Sequence, residues 1–151
     1  MTMPAAMSRE QQRGIEFDCQ RALARLYFYL DESRFADLAA LFAADGVWHR
    51  QGKALSGAAQ IMAAMQARSA TQVTRHVITN LFVTVSANGA AEAVGYLIAY
   101  VHDSGQADPK PIAMRYPARL FVMNTRFLVA SDGCWIAEHK TRPEFEFPRN
   151  A

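Results

Sequence analysis

Residues 73–86, VTRHVITNLFVTVS, decide the fold, because β-branched and aromatic side chains dominate this run and predict a long strand. Three more runs of similar composition follow it, at 91–102, at about 112–130 and at 134–147. Turn signals such as Asn88-Gly89 and Asp132-Gly133 separate the runs and are typical of hairpins. Strands this long have to twist, so we predict a curved antiparallel sheet with the shape of a cone.

The residues upstream of this sheet predict three helices. Ser8 and Gln11 form the pattern of a capping box, and apolar residues then recur at helical spacing. The predicted helices run from Ser8 to about Leu30, from Phe35 to before Asp45, and from Gly57 to about Arg68. Helices followed by hairpin-connected strands predict the α+β class, in which an antiparallel or mixed sheet wraps around the N-terminal helices as an α+β barrel.

The composition is that of one globular domain. The chain has 151 residues, of which 51% are hydrophobic and 20% are charged. We predict a single domain over residues 8–148, preceded by a disordered leader at 1–7. A formal net charge of +2 with scattered basic residues does not favour nucleic acid as a partner. Because the chain has no signal-like start and no run of about 18 apolar residues, we predict no membrane association and a cytoplasmic location.

The sequence contains none of the common motifs for metals or nucleotides. Its four histidines show no HxH or HExxH spacing, and its two cysteines form no CxxC pair. A glycine-rich phosphate loop and a G-x-S-x-G elbow are also missing. We therefore predict no metal and no cofactor, and we expect a small molecule to be the partner.

His76 is the most informative polar residue of the strands. Strict alternation places on one face His76, Ile78, Asn80 and Phe82, and on the other face Val77, Thr79, Leu81, Val83 and Val85. The second face is a plain core face. The first face mixes polar and apolar groups, as a cavity lining does, so we predict that His76 faces a buried cavity. A hydrogen-bonded structural histidine is the alternative interpretation.

Other polar residues have two interpretations each. Asp31 follows the first predicted helix and either points back toward the sheet or caps the second helix. The remaining candidates are either pocket groups or edge residues: His49 on a short hairpin strand, Tyr96, Tyr100 and His102 on one strand face, and His139 on the last strand. The pattern alone does not decide between these alternatives.

The chain resembles the nuclear transport factor 2-like superfamily, and within it the SnoaL-like and scytalone dehydratase-like group. Four segments carry the resemblance: 29–35, 41–47, 74–80 and 132–136. The similarity extends over about 11–143 and implies a cystatin-like α+β barrel. This superfamily includes dehydratases, isomerases, cyclases and non-catalytic subunits, so the resemblance is more specific for fold than for activity.

The resemblance implies a catalytic dyad of Asp31 and His76, with His102 near the position of a second family histidine. Leu30 and His49 stand where the dehydratase has two tyrosines that polarise the substrate carbonyl. Tyr29, Tyr96 and Tyr100 are the candidates to compensate, and Asn80 is a further substrate-binding candidate. A neutral imidazole held by a carboxylate can remove a proton α to a carbonyl, and His102 or His49 would then donate a hydrogen bond to the enolate.

These observations lead to one main hypothesis and two alternatives. The main hypothesis is a cofactor-independent lyase of the dehydratase type that acts on a small cyclic substrate, or an isomerase that uses the same chemistry. The alternatives are a non-catalytic, β-subunit-like partner of a ring-hydroxylating oxygenase and a small-molecule binding module. The resemblance also implies a homo-oligomer, a dimer or trimer formed through the open face of the sheet.

Overall fold

The computed structural model describes residues 7–148, so residues 1–6 of the predicted leader lie outside the described part. Within this part the chain forms three helices and six strands. The helices are α1 (Arg9–Asp31), α2 (Phe35–Ala39) and α3 (Gly57–Gln66). The strands are β1 (Phe42–Arg50), β2 (Lys53–Ser56), β3 (Val73–Val85), β4 (Ala91–His102), β5 (Arg119–Ala130) and β6 (Gly133–Glu146).

The six strands form one mixed sheet in the order β2-β1-β6-β5-β4-β3. Neighbouring strands are antiparallel except for β1 and β6, which are parallel. The segment with α3 leads from β2 to β3 at the opposite edge, and the antiparallel pairs β3-β4, β4-β5 and β5-β6 bring the chain back beside β1. The sheet is not closed among the described residues, since β2 and β3 are its two edges. The predicted α+β class and the helices packed against a mixed sheet are confirmed.

Helix α1 supplies most of the core on the helical side of the sheet. The predicted capping box is present, because the Gln11 backbone N–H donates to Ser8 Oγ at 3.1 Å and the Ser8 N–H donates to Gln11 Oε1 at 2.9 Å. The apolar stripe of α1 is buried and comprises Cys19, Ala22, Leu23, Leu26, Tyr27 and Leu30. This stripe packs onto β3, β4 and β6, so residues at its C-terminal end face the sheet interior.

Two predicted boundaries are wrong. The second helix ends at Ala39, and Phe42 begins β1, because the backbone of Leu41 and Phe42 joins the sheet: Ile136 N–H donates to Leu41 O at 2.8 Å. Strand β5 begins only at Arg119, whereas the sequence predicted that it begins at about residue 112. Prolines 109, 111 and 117 occupy the preceding stretch, and a proline cannot donate to the ladder of a sheet.

A bulge in β3 reverses the predicted alternation of side chains. The pairing with β4 shifts between Thr79 and Phe82, and Asn80 has a left-handed backbone with φ of 50°. His76 keeps its predicted inward direction, but beyond the bulge Leu81 packs on the core and Phe82 is 70% exposed. The predicted face shared by His76, Asn80 and Phe82 is therefore wrong after Ile78.

A second bulge lies in β6, where the pairing with β5 shifts between Arg126 and Phe127. Phe127 pairs with Ile136, Arg126 pairs with Glu138, and Ala137 is the extra residue. As a result Ile136 and His139 are both fully buried, although they are three residues apart. His139 is thus an interior residue, which the strict alternation left undecided.

Candidate active site

Asp31 and His76 meet at the interface between α1 and β3. Asp31 Oδ1 and His76 Nδ1 are 2.6 Å apart, and the His76 backbone N–H donates to Asp31 Oδ2 at 2.8 Å. Thr74, on the same face of β3, donates its hydroxyl to Asp31 Oδ1 at 2.8 Å. Only 11% of the His76 side chain and 7% of the Asp31 side chain are exposed. The geometry therefore orients a sheltered imidazole with a buried carboxylate.

The alternative role of Asp31 as an N-cap is wrong. Asp31 is the last residue of α1, and the N-cap of α2 is Arg34, which makes no side-chain cap hydrogen bond. Burial works against the charged form of Asp31 and is the largest single influence on its pKa. The hydrogen bonds from His76 and Thr74 and the attraction of His76 together outweigh burial, so the pKa of Asp31 lies below its ordinary value.

The second ring nitrogen of His76, Nε2, is the position that the contact with Asp31 leaves open. Nδ1 is engaged by Asp31, whereas Nε2 has no hydrogen-bond partner in residues 7–148. No buried side-chain nitrogen or oxygen in that part of the chain lacks a partner, so Nε2 reaches solvent. A carboxylate that accepts the Nδ1 proton leaves the Nε2 lone pair free to act as a base.

Tyr27 and His139 form a buried polar pair beside the dyad, and sequence reasoning missed this pair. The Tyr27 ring lies 5.0 Å from the His76 ring, and its hydroxyl is 2.7 Å from His139 Nε2. His139 Nδ1 is 2.7 Å from the Thr125 hydroxyl. Burial lowers the pKa of His139 to about 3 and raises the pKa of Tyr27, so both side chains are neutral near neutral pH.

A sequence signal existed for Tyr27 but not for His139. Tyr27 precedes Asp31 by four residues, one helical turn, so the two side chains share a helix face. His139 faces inward only because Ala137 is the extra residue of a bulge, which no residue type in the segment announces.

The structure does not bring His102 or His49 to the dyad. His76 pairs with Ala99, so Ala99 shares its face, whereas His102 lies three residues further on and points to the opposite face. There His102 Nε2 is 2.7 Å from Asp108 Oδ2. His49 Nε2 is 2.9 Å from Glu138 Oε1, on the opposite side of β1 from buried Trp48. Neither histidine can donate to a substrate at His76 in this arrangement.

The other proposed substrate-binding residues also lie away from His76. Tyr96 and Tyr100 share a face with His102, because Leu97 and Ala99 are the buried residues between them. Tyr96 is 43% exposed and cannot line an interior cavity. Asn80 is exposed at the β3 bulge, where its side chain accepts a hydrogen bond from the Thr79 hydroxyl at 2.9 Å.

Tyr29 lies on α1 but does not reach the dyad. Its ring lies under the Arg34 guanidinium at 4.5 Å, at the end of the helix, and two residues along a helix turn the side chain about 200° away from Asp31. Leu30 is a core residue with 2% exposure. Of the catalytic and substrate-binding residues predicted from the sequence, only Asp31 and His76 therefore contact each other.

An open groove lies beside the dyad, between the β1–β2 hairpin and α3. Its volume is about 290 Å³, and Arg50, Lys53 and Arg68 are among its lining residues. Asp31 and His76 do not line it, but Arg68 Nη2 is 3.3 Å from Thr74 Oγ1, which donates to Asp31. The groove therefore adjoins the Asp31–His76 pair through Arg68 and Thr74, and it is not the buried cavity that was predicted at His76.

Metal-ligating residues are dispersed in this structure. Over residues 7–148, no three His, Cys, Asp or Glu side chains are grouped so that they could hold a metal ion. The described helices also include none that is long and apolar enough to cross a membrane.

The fold and the family comparison define a member of the nuclear transport factor 2-like superfamily. Residues 16–138 match the model of the SnoaL-like domain, so the chain belongs to the SnoaL-like family. The resemblance inferred from the sequence is thereby confirmed. No curated protein sequence matches the chain.

Solved structures share the fold at low sequence identity. A protein from Catenulispora acidiphila is 20% identical with a TM-score of 0.72, over 90% of this chain and 96% of that chain. A structure from the same organism, in complex with S-DNPA, is 19% identical with a TM-score of 0.70, over 88% and 96%. A candidate scytalone dehydratase from Novosphingobium aromaticivorans is 12% identical with a TM-score of 0.72, over 95% of each chain.

Proposed function

We propose that this protein is a cofactor-independent lyase of the dehydratase type, which removes a proton α to a carbonyl and eliminates water from a small cyclic substrate. Isomerisation by the same proton abstraction is a close variant. The observation that carries the proposal is the 2.6 Å contact between Asp31 and His76 in a sheltered position, with Nε2 of the imidazole left open. Membership of the SnoaL-like family is consistent with this chemistry.

The proposed reaction begins at Nε2 of His76. The lone pair of this nitrogen accepts the α-proton, and the electrons of the C–H bond move into the enolate. Asp31 stabilises the imidazolium that forms, since the carboxylate is buried and charged. The imidazolium then returns the proton to the departing β-hydroxyl, so water leaves and the C=C bond forms without any external reagent. The Tyr27 ring packs beside His76, with 5.0 Å between the ring centres.

The proposal is tested with a cyclic β-hydroxy ketone of the hydroxytetralone type, whose dehydration gives an aromatic chromophore. The protein is expected to catalyse the elimination with no added metal or cofactor, and to exchange the α-proton for deuterium in D₂O. The His76→Ala variant is expected to do neither, as followed by absorbance and NMR. If the wild-type protein shows neither elimination nor exchange across a panel of such ketones, the proposal is wrong.

The two non-catalytic alternatives make the opposite prediction. An oxygenase-subunit role or a pure binding role does not require a free Nε2 on an oriented imidazole, so His76→Ala would leave both functions intact. The S-DNPA complex of the Catenulispora protein supports small-molecule binding in this fold and is compatible with either outcome. The exchange experiment with His76→Ala therefore separates the enzyme from both alternatives.

We also propose that the protein forms a homo-oligomer through the outer face of its sheet. Val77, Ile98, Leu120 and Phe145 are cross-strand neighbours that form an apolar row over four strands. Phe82, Val94 and Tyr96 extend the same face and are 70%, 45% and 43% exposed. A contiguous apolar area of this kind is typical of an interface, and a second copy of the chain presents the same complementary surface.

Replacing Phe82 by Ser is expected to shift the protein from oligomer to monomer. Phe82 exposes most of its ring on this face, and its truncation removes about 1–3 kcal/mol of apolar contact per subunit. Light scattering after size exclusion measures the change. The matched control is Phe17→Ser on α1, where Phe17 is 56% exposed and far from the sheet face in the topology. Wild-type protein that is monomeric at high concentration would contradict the proposal.

A further inference from the structure

The groove beside the dyad has an unusual distribution of charge. Its polar lining residues are Arg50, Gln51, Lys53, Arg68, Ser69 and Gln72. Within the described chain this lining contains three basic residues and no Asp or Glu. Lys53 is exposed and hydrated, whereas Arg50 and Arg68 are half-buried. The positive charge is therefore concentrated on two guanidinium groups that are partly removed from water.

Arg50 lacks the partner that a half-buried arginine ordinarily has. Its guanidinium lies over the Trp48 ring at 5.5 Å, and no oxygen among residues 7–148 accepts a hydrogen bond from it. Burial lowers the pKa of Arg50, and repulsion from Arg68, which lines the same groove, lowers it further, against a smaller opposite effect of Tyr27. Burying a charge without a hydrogen-bonding partner is costly, and an incoming anion would remove this cost.

Arg68 connects the groove to the dyad. Its Nη1 donates to Leu30 O at 3.0 Å, its Nη2 donates to Gln72 Oε1 at 3.0 Å, and Nη2 also lies 3.3 Å from Thr74 Oγ1. Because Thr74 donates to Asp31, and Asp31 holds His76, the hydrogen-bonded chain runs from the groove to the base. Arg68 is thus fixed in place, while Arg50 retains free donors.

We infer that the groove binds a carboxylate of the substrate between Arg50 and Arg68, so that the substrate class is a cyclic hydroxy ketone that carries a carboxylate group. This inference rests on the proposed function, because it assigns the substrate of the dyad to a groove that adjoins it through Arg68 and Thr74. The guanidinium fork matches a planar carboxylate in bidentate geometry. Arg68 already donates to Leu30 O and Gln72 Oε1, so one carboxylate would supply the acceptors that Arg50 lacks.

The inference is tested by calorimetric binding of naphthoate and of the neutral naphthamide with the same ring. The wild-type protein is expected to prefer naphthoate by about tenfold or more, since hydrogen bonds to charged groups contribute strongly. Arg50→Gln is expected to abolish this preference. The matched control is Arg126→Gln, because Arg126 is an exposed arginine paired with Glu138 on the outer face of the sheet.

Equal binding of naphthoate and naphthamide, or a preference that survives in Arg50→Gln, would overturn the inference. Turnover of a carboxylated hydroxytetralone and of its methyl ester separates this result from the proposed function. If acid and ester react equally well, and both depend on His76, the dehydratase stands and the carboxylate site is wrong. If neither reacts but naphthoate binding depends on Arg50, the carboxylate site stands and the enzymatic proposal is wrong.

Discussion

The Asp31→Asn variant is expected to lose about 10⁴-fold in turnover of a hydroxytetralone while it keeps its fold, by analogy with aspartates that orient histidines in hydrolases. The amide is nearly the same size as the carboxylate, so the contacts of Asp31 with Thr74 and with the His76 backbone persist in part. The negative charge that stabilises the imidazolium is lost, however. The amide can also present a donor to Nδ1, which favours the tautomer whose Nε2 is protonated and cannot act as a base.

The structure offers a matched control for this experiment. Asp108 forms the same kind of pair with His102, at 2.7 Å, but on the face of the sheet opposite to His76. Asp108→Asn is therefore expected to leave turnover unchanged. Because Asp31 and His76 act as one unit, the double variant Asp31→Asn with His76→Ala is expected to be no slower than His76→Ala alone. Asp31→Asn activity within a few-fold of wild type, measured as kcat/KM, would remove Asp31 from the mechanism.

The second large effect is an acid destabilisation caused by His139. Burial lowers its pKa from 6.5 to about 3, so the unfolded chain binds a proton below pH 6.5 that the folded protein does not accept until about pH 3. Stability therefore falls as the pH falls through this window. The expected loss between pH 6.5 and about pH 5 is about 2 kcal/mol of unfolding free energy from this residue.

Urea unfolding at these two pH values measures the effect, and His139→Gln is the matched variant. Glutamine keeps a polar group near the hydroxyls of Tyr27 and Thr125 but has no proton to gain. The variant is expected to be less stable than wild type near neutral pH and to show a flatter dependence on pH. Asp31 acts in a separate window, because its pKa is lowered from 3.8 and its contribution is lost only below that value. Parallel pH profiles for wild type and His139→Gln would contradict the prediction.

Local sequence patterns predicted the elements whose signals are local. The capping box of Ser8 and Gln11 marks the start of α1, and the apolar stripe of α1 extends to its end at Asp31. The β4 run was predicted with its observed bounds, 91–102, because turn residues flank a continuous run of strand formers. His76 faces inward because it precedes the bulge, so simple alternation holds as far as Ile78.

The predictions failed where one extra residue in a strand reverses the direction of all the side chains that follow it in that strand. The left-handed backbone at Asn80 and the extra residue Ala137 shift their strands by one position, which turns Phe82 outward and His139 inward. The family resemblance implied roles for His102 and His49, but the register of β4 and β1 places both histidines on the outer face. The resemblance gave the residue type at each position, but only the pairing of the strands determined which face of the sheet each side chain points to.

The sequence by itself determined the α+β class and the order of the elements, because periodicity, capping and turn residues act over a few positions, and the pairing of Asp31 with His76 was implied only by the family resemblance. Only the tertiary structure decided that Tyr27 packs beside His76 and that Arg50 and Arg68 meet in one groove. These residues belong to different elements, and their approach depends on the packing of α1 and α3 against the sheet. Distances between such elements are set by the whole core, so no short segment of the chain encodes them.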